Sequence, residues 1–206
     1  MHNRQIETTI AKLYKDSKND SLRMIKGAVK SIIRPIQPAD FKDAYLAISN
    51  EQGKDLVHLI LKNNIQHIVE FGTSFGISTL FLAQGVLQTG GSIITTELID
   101  SKAKKAIKNF KTAGVSDLIE LRVGNALDTL ANHDKPIDLL LLDGWKDLYL
   151  PLFRLLEPNF HDHTIVYVDN ADMADSRTFL KQVKINPRYH LQFKHQGKVA
   201  LITIIK

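Results

Sequence analysis

Ile137-Asp138-Leu139-Leu140-Leu141-Leu142-Asp143 reads as a strand that is apolar almost without interruption and ends on a carboxylate. An alternating pattern would mark a strand with one wet face. A continuous aliphatic run marks one covered on both faces, as in a parallel sheet with helices on either side. Parallel neighbours need helical crossovers, and the flanking sequence supplies them. Towards the N-terminus, 65–71 is a short apolar strand closing on Gly72, followed by a helix over about 76–86. Residues 92–97 and 101–113 repeat the pair, the helix stopping at Gly114, and 118–123 with 125–132 repeat it again. Towards the C-terminus come a helix over 147–156, a strand over 164–169 and a helix over 175–184. This alternation through short connections predicts a doubly wound α/β sheet.

The last stretch breaks the rhythm. Residues 189–195 alternate apolar and polar, Gln196-Gly197 reads as a two-residue turn, and 198–205 as a strand, so this pair is antiparallel. The expectation is a seven-stranded sheet, five parallel strands plus a C-terminal antiparallel hairpin, in one domain spanning 1–206. Residues 51–206 form its Rossmann-like core and residues 1–50 an N-terminal helical cap. In the cap, 4–31 is amphipathic with Ile6, Ile10 and Leu13 on one face, broken near 17–21 and stopped by Pro35 and Pro38. Further helices are predicted over about 39–48 and 51–63. The first two helices either cover the ligand pocket or form a homodimer contact.

With 206 residues, 44% of them hydrophobic and 24% charged, the chain is an ordinary globular one. At that size roughly 70% of the unfolded surface can be buried without disulfides or metals. The absence of cysteine excludes a disulfide scaffold, thiolate catalysis and Cys-ligated metals. No apolar run is long enough for a membrane span and no signal-type segment opens the chain, so a cytoplasmic location is expected. The net charge of +5 is local: residues 1–35 hold eight basic and three acidic residues, and 36–206 hold nineteen of each. This reads as a solvated basic helix face, with a weak contact to an anionic partner as the alternative, and nucleic acid is disfavoured as a partner.

Ligands of open parallel sheets sit beyond the carboxyl ends of the strands, near the point where strand order reverses. The polar residues at those ends are Glu70 with Gly72, Glu97, Asn125, Asp143, and Asp169 with Asn170. Small residues in the loop 70–78 let a ligand approach the backbone. A dinucleotide fingerprint would need glycines at 72, 74 and 77, and only Gly72 is present. Glu97 could accept from both ribose hydroxyls of an adenosine cofactor, or be a solvated strand-end carboxylate. If the strands ending at Asp143 and Asp169 are neighbours, about 4.8 Å apart, their carboxylates and the Asn170 carbonyl converge. Such an oxygen set suits Mg²⁺ or another divalent cation; the alternative is two unrelated helix caps. A lysine beside a divalent cation is disfavoured in its charged form, which would suit Lys146 as a general base, although a solvated lysine is the commoner role. Trp145 offers a flat apolar face.

These residues carry a resemblance. The string Leu141-Leu142-Asp143-Gly144-Trp145-Lys146-Asp147-Leu148-Tyr149-Leu150-Pro151, with Val166-Tyr167-Val168-Asp169-Asn170, the glycine loop 69–78 and Ser49-Asn50-Glu51-Gln52-Gly53, resembles the catechol O-methyltransferase family. These are class I methyltransferases dependent on S-adenosylmethionine, and the similarity covers about residues 45–170. The resemblance implies that Gly72, Ser74 and Ser78 hold the methionine part of the cofactor, with Glu70 near its amino group. Glu97 would bind the ribose, and Leu98, Gly124, Ala126 and Trp145 would border the adenine. Asp143 would serve both cofactor and metal, Asp169 and Asn170 would complete the Mg²⁺ site, and Lys146 would be the base. The implied reaction is methyl transfer to a hydroxyl of a small molecule, a phenol or vicinal diol. Gly144 stands where mammalian-type members have a histidine, and Asn125 where bacterial ones often have Asp. His190 aligns with the acid that grips the second hydroxyl of catechol, and residues 176–206 contain no acid. The alternatives are a metal-independent or RNA-directed methyltransferase on the same fold, then a nicotinamide-dependent oxidoreductase.

Overall fold

The computed structural model describes residues 2–17, 40, 42–43, 45 and 47–205. The elements are α1 (His2–Ser17), α2 (Asn50–Lys62), β1 (His67–Phe71), α3 (Ile77–Thr89), β2 (Ser92–Glu97), α4 (Asp100–Ala113), β3 (Ile119–Val123), α5 (Ala126–Thr129), β4 (Ile137–Leu142), α6 (Tyr149–Leu156), β5 (Phe160–Asp169), α7 (Ala174–Ile185), β6 (Tyr189–Lys194) and β7 (Val199–Ile204). The strands form one seven-stranded sheet in the order β3-β2-β1-β4-β5-β7-β6. β1 to β5 run parallel, and β7 is antiparallel to both β5 and β6. The predicted doubly wound sheet with its hairpin is therefore present.

Side chains alternate across the sheet, so each strand feeds two cores. On one face Ile68, Leu139, Leu141, Tyr167 and Leu201 pack against α1, α2, α3 and α4. On the other, Val69, Leu140, Leu142, Val166 and Val168 meet α5, α6 and α7. This double burial is why β4 is almost wholly apolar. Its one polar side chain, Asp138, lies near the start, where Oδ2 accepts the Gln66 and His67 amides, both at 2.8 Å. α2 opens with a capping box: Ser49 accepts the Gln52 amide at 3.1 Å and Gln52 Oε1 accepts the Ser49 amide at 2.8 Å.

Several boundaries differ from expectation. β5 begins at Phe160, four residues before the expected start, because His161-Asp162-His163 lies in a bulge within the strand and not in a loop. Thr164 Oγ1 closes that bulge, donating to the Ile137 carbonyl (2.6 Å) and accepting the His161 amide (2.8 Å). The hairpin connection is the four residues 195–198, with Lys194 paired to Val199, and not a two-residue turn. His195, Gln196 and Gly197 are all left-handed there, with φ of 48°, 57° and 88°. α1 covers the first core. Ile6, Ile10 and Leu13 are buried in the first core, and the helix packs on α3 and α4. The rest of the helix predicted to run to residue 31 lies outside the described residues. So does part of the one predicted over 39–48, whose described residues are 3₁₀ at 40, turn at 42–43 and irregular at 45 and 47–48.

Candidate active site

Strand order reverses between β1 and β4, which opens a crevice beyond their carboxyl ends. The loop after β1 forms one wall. Gly72 is left-handed (φ 107°), and a Cβ there would lie 2.6 Å from the Asp143 carbonyl oxygen, so only glycine lets the β1 and β4 loops meet. Ser74 is also left-handed (φ 50°); its amide donates to Glu97 Oε2 at 2.8 Å and its hydroxyl to the Tyr45 carbonyl at 2.6 Å. Under the loop Glu70 is fully buried, with Oε2 accepting the Thr79 and Thr95 hydroxyls, each at 2.6 Å. Burial pushes its pKa up, while the Ser78, Thr79 and Thr95 hydroxyls pull the other way. Its second oxygen, Oε1, is buried without a hydrogen-bond partner.

At the end of β2, Glu97 is 8% exposed. Its Oε1 accepts the Ile99 amide at 2.8 Å and its carbonyl accepts the Gly124 amide at 2.9 Å. Burial raises its pKa, opposed by the Ile99 amide and by the charge of Lys102, a buried lysine of α4. Leu98 beside it is 54% exposed, and Ala126 is buried at the start of α5. Asn125 caps that short helix, its Oδ1 accepting the Leu127 amide at 3.0 Å.

The third cluster forms because β4 and β5 are neighbours, with Leu142 opposite Val168, so Asp143 and Asp169 leave the sheet side by side. Burial, together with the adjacent Asp169 carboxylate, holds the pKa of Asp143 well above the usual range, although Lys146 lowers it. Two buried like charges in contact are costly unless they share a proton or a cation. Lys146 Nζ donates to the Gly144 carbonyl at 2.9 Å and stands 3.7 Å from Asp143 Oδ1, over the Tyr149 ring. Asn170 follows in a left-handed conformation (φ 53°). Trp145 packs partly buried against the second core. A Cβ on Gly144 would meet the Phe71 ring at 2.4 Å, so that ring fills the space a side chain at 144 would need.

The residues named from sequence thus gather along one sheet edge. Among the described residues no three His, Cys, Asp or Glu side chains group as a metal site. The oxygen set at the β4 and β5 ends is two carboxylates and an amide, and its chemistry fits a hard divalent cation. Sequence reasoning missed Gln52, whose Nε2 donates to Asp169 Oδ1 at 2.7 Å, and Tyr149, whose hydroxyl donates to the Asp169 carbonyl at 3.3 Å. His190 is not at this edge: it pairs with Thr203 near the opposite end of the hairpin, and His195 of the turn takes its place at the carboxyl side. His161 lies at the amino edge, its Nε2 2.9 Å from Asp138 Oδ1.

A family model described as a methyltransferase domain matches residues 69–171, half of the 206. The chain belongs to that family. The matched part of the methyltransferase domain begins in β1 and ends just past Asn170, so it takes in all three clusters. Over 127 residues the chain is 38% identical to a catechol O-methyltransferase of Mycobacterium tuberculosis, covering 61% of this chain and 57% of the relative. Over 130 residues it is 30% identical to a catechol O-methyltransferase of Niastella koreensis, covering 61% and 58%. The matches thus span little more than half the length of either relative. The fold is shared with a Bacillus cereus O-methyltransferase solved in complex with SAH: TM-score 0.69, 24% identity, 89% of this chain and 97% of that one. Among the described residues no helix is long and apolar enough to cross a membrane.

Proposed function

We propose that this methyltransferase domain moves the methyl group of S-adenosylmethionine to a hydroxyl of a small molecule, a phenol or vicinal diol, with Mg²⁺ or another divalent cation at the acceptor. The observation that carries it is the Asp143–Asp169 pair, held beside Lys146 and facing the glycine loop after β1. The likeness to catechol O-methyltransferases supports the acceptor class.

S-adenosylmethionine, when bound, supplies an electrophilic methyl group on a sulfonium. Gly72, Ser74 and Ser78 line the place for its methionine part, and the unpartnered Glu70 Oε1 suits an ammonium group. Glu97, held by the Ser74 and Ile99 amides, would accept the ribose hydroxyls. Leu98, Gly124, Ala126 and Trp145 offer apolar and backbone surface to the adenine. A divalent cation, when bound, acts as a Lewis acid on the acceptor hydroxyl. Asp143, Asp169 and Asn170 would hold it, with Gln52 fixing the orientation of Asp169. Lys146 takes the hydroxyl proton on Nζ as the new O–C bond forms and the S–C bond breaks, releasing S-adenosylhomocysteine. The rate advantage comes from holding oxygen and methyl carbon in line at near-attack distance.

The test is calorimetric titration of S-adenosylmethionine, followed by a Mg²⁺-dependent transfer screen over phenols and vicinal diols with wild type, D169A and K146A. Binding, with metal-dependent turnover lost in both variants, is the expected result. Turnover indifferent to EDTA would remove the cation and leave methyl transfer. No binding at millimolar cofactor would overturn the assignment.

A further inference from the structure

A cavity of about 480 Å³ opens between the start of α2 and the β6–β7 turn. It adjoins the carboxylate pair. Gln52 both lines it and donates to Asp169, the Lys198 carbonyl accepts the Ala171 amide at 2.8 Å, and Val199 pairs with Asp169. Gln52 alone separates this space from Asp169, which puts it within reach of an acceptor whose hydroxyl reacts there.

The walls differ in charge. The α2 wall carries Glu51 and Asp55, and the turn wall carries Lys194, His195 and Lys198. Both acids have local partners. Asp55 Oδ2 lies 2.8 Å from His195 Nε2, a salt bridge when the histidine is protonated, and that histidine side chain is 13% exposed. Glu51 sits in the first turn of α2, where the helix dipole favours a negative charge. Lys194 and Lys198 are exposed and, among the described residues, neither is in an ion pair. Three consecutive left-handed residues and the Asp55 pair fix the turn between them. No acid from residues 176–206 can offset them, because that stretch contains none.

We infer that the natural acceptor is a hydroxy compound carrying a carboxylate or similar anionic group, seated between Lys194 and Lys198 on the turn wall of the cavity. This rests on the methyltransferase assignment and adds the acceptor's charge to it. Hydroxyl and anion are then held at two separate points of the same molecule, which fixes which hydroxyl is presented.

The experiment compares 3,4-dihydroxybenzoate with its methyl ester, which has the same ring and hydroxyls without the charge. The acid is expected to be preferred in kcat/KM by about five- to tenfold at low ionic strength, the scale of two exposed charge pairs. The preference should shrink as salt screens the lysines, and should vanish in the K194Q/K198Q double variant. Calorimetric binding of S-adenosylmethionine to that variant checks that it is folded. Equal use of acid and ester, or transfer to the ester alone, overturns the inference and leaves the methyltransferase assignment intact. Transfer to neither by a protein that binds the cofactor also overturns it. Failure to bind the cofactor at all instead marks failure of the underlying assignment.

Discussion

Gln52 shows how a residue without chemistry of its own can set a site. Its amide is shared between the α2 capping box and Asp169, so it ties the helix start to the carboxylate. Replacing it by Ala should leave cofactor affinity unaffected but weaken divalent-cation binding by roughly 10–100-fold, the usual cost of losing such a partner. Mn²⁺ titration followed by electron paramagnetic resonance would measure it. Glu70 gives a second prediction through pH. Its folded pKa is raised by burial, so the stability it contributes is full below its unfolded value and is lost as pH rises through the folded one. E70Q should therefore flatten the decline in melting temperature between acid and neutral pH and raise the ligand-free value at pH 7.5, while weakening cofactor binding. A variant whose melting curve keeps the wild-type pH dependence would show that Glu70 is not the responsible group. The strand-end residues were legible in sequence because topology alone delivers them to one edge. Gln52 was not, because its partner lies 117 residues away.

Among the elements, α2 and α3 make the closest helix contact in the first core. A Cβ on Gly53 would meet the buried Phe81 ring at 2.3 Å, and one on Gly85 would meet Ile60 at 2.8 Å. G53A forces an overpacked crossing and should destabilise the fold by about 1–3 kcal/mol, read from the urea midpoint at constant slope. It should also tilt the helix that carries Gln52 and Asp55, so turnover should fall with stability. The alternation of strand and helix was legible because double burial leaves aliphatic runs such as 139–142. The start of β5 was not, since His161-Asp162-His163 is polar and bulged while Phe160 still pairs with Ile137. The hairpin turn was misread for a similar reason: Gln196-Gly197 has turn chemistry, but the Asp55 pair holds His195 in the turn as well. His190 was placed at the acceptor site by alignment alone, and its pairing with Thr203 puts it at the other end of the hairpin.

Across the whole molecule, the crevice at the β1–β4 switch point divides the chemistry in two. Glu70, Ser74 and Glu97 sit on the β1–β2 side, and Asp143, Asp169 and Gln52 on the β4–β5 side, the halves meeting where Gly72 touches Asp143. Cofactor and cation should therefore bind as separable partners of one folded unit, each stabilising it by mass action. S-adenosylhomocysteine at a hundred times its Kd should add about 2.7 kcal/mol, or roughly 5–10 °C in melting temperature for a chain of this length, with EDTA present. Mg²⁺ alone should also raise the melting temperature at neutral pH, because it relieves repulsion between two buried carboxylates. D143N should behave oppositely on that side: its melting temperature in EDTA should exceed that of wild type, and Mg²⁺ should no longer raise it. Differential scanning fluorimetry across these four conditions separates the two sides. A Mg²⁺ response that persists in D143N would place the cation elsewhere. An S-adenosylhomocysteine response that disappears in EDTA would mean that the two halves of the crevice are built as one site.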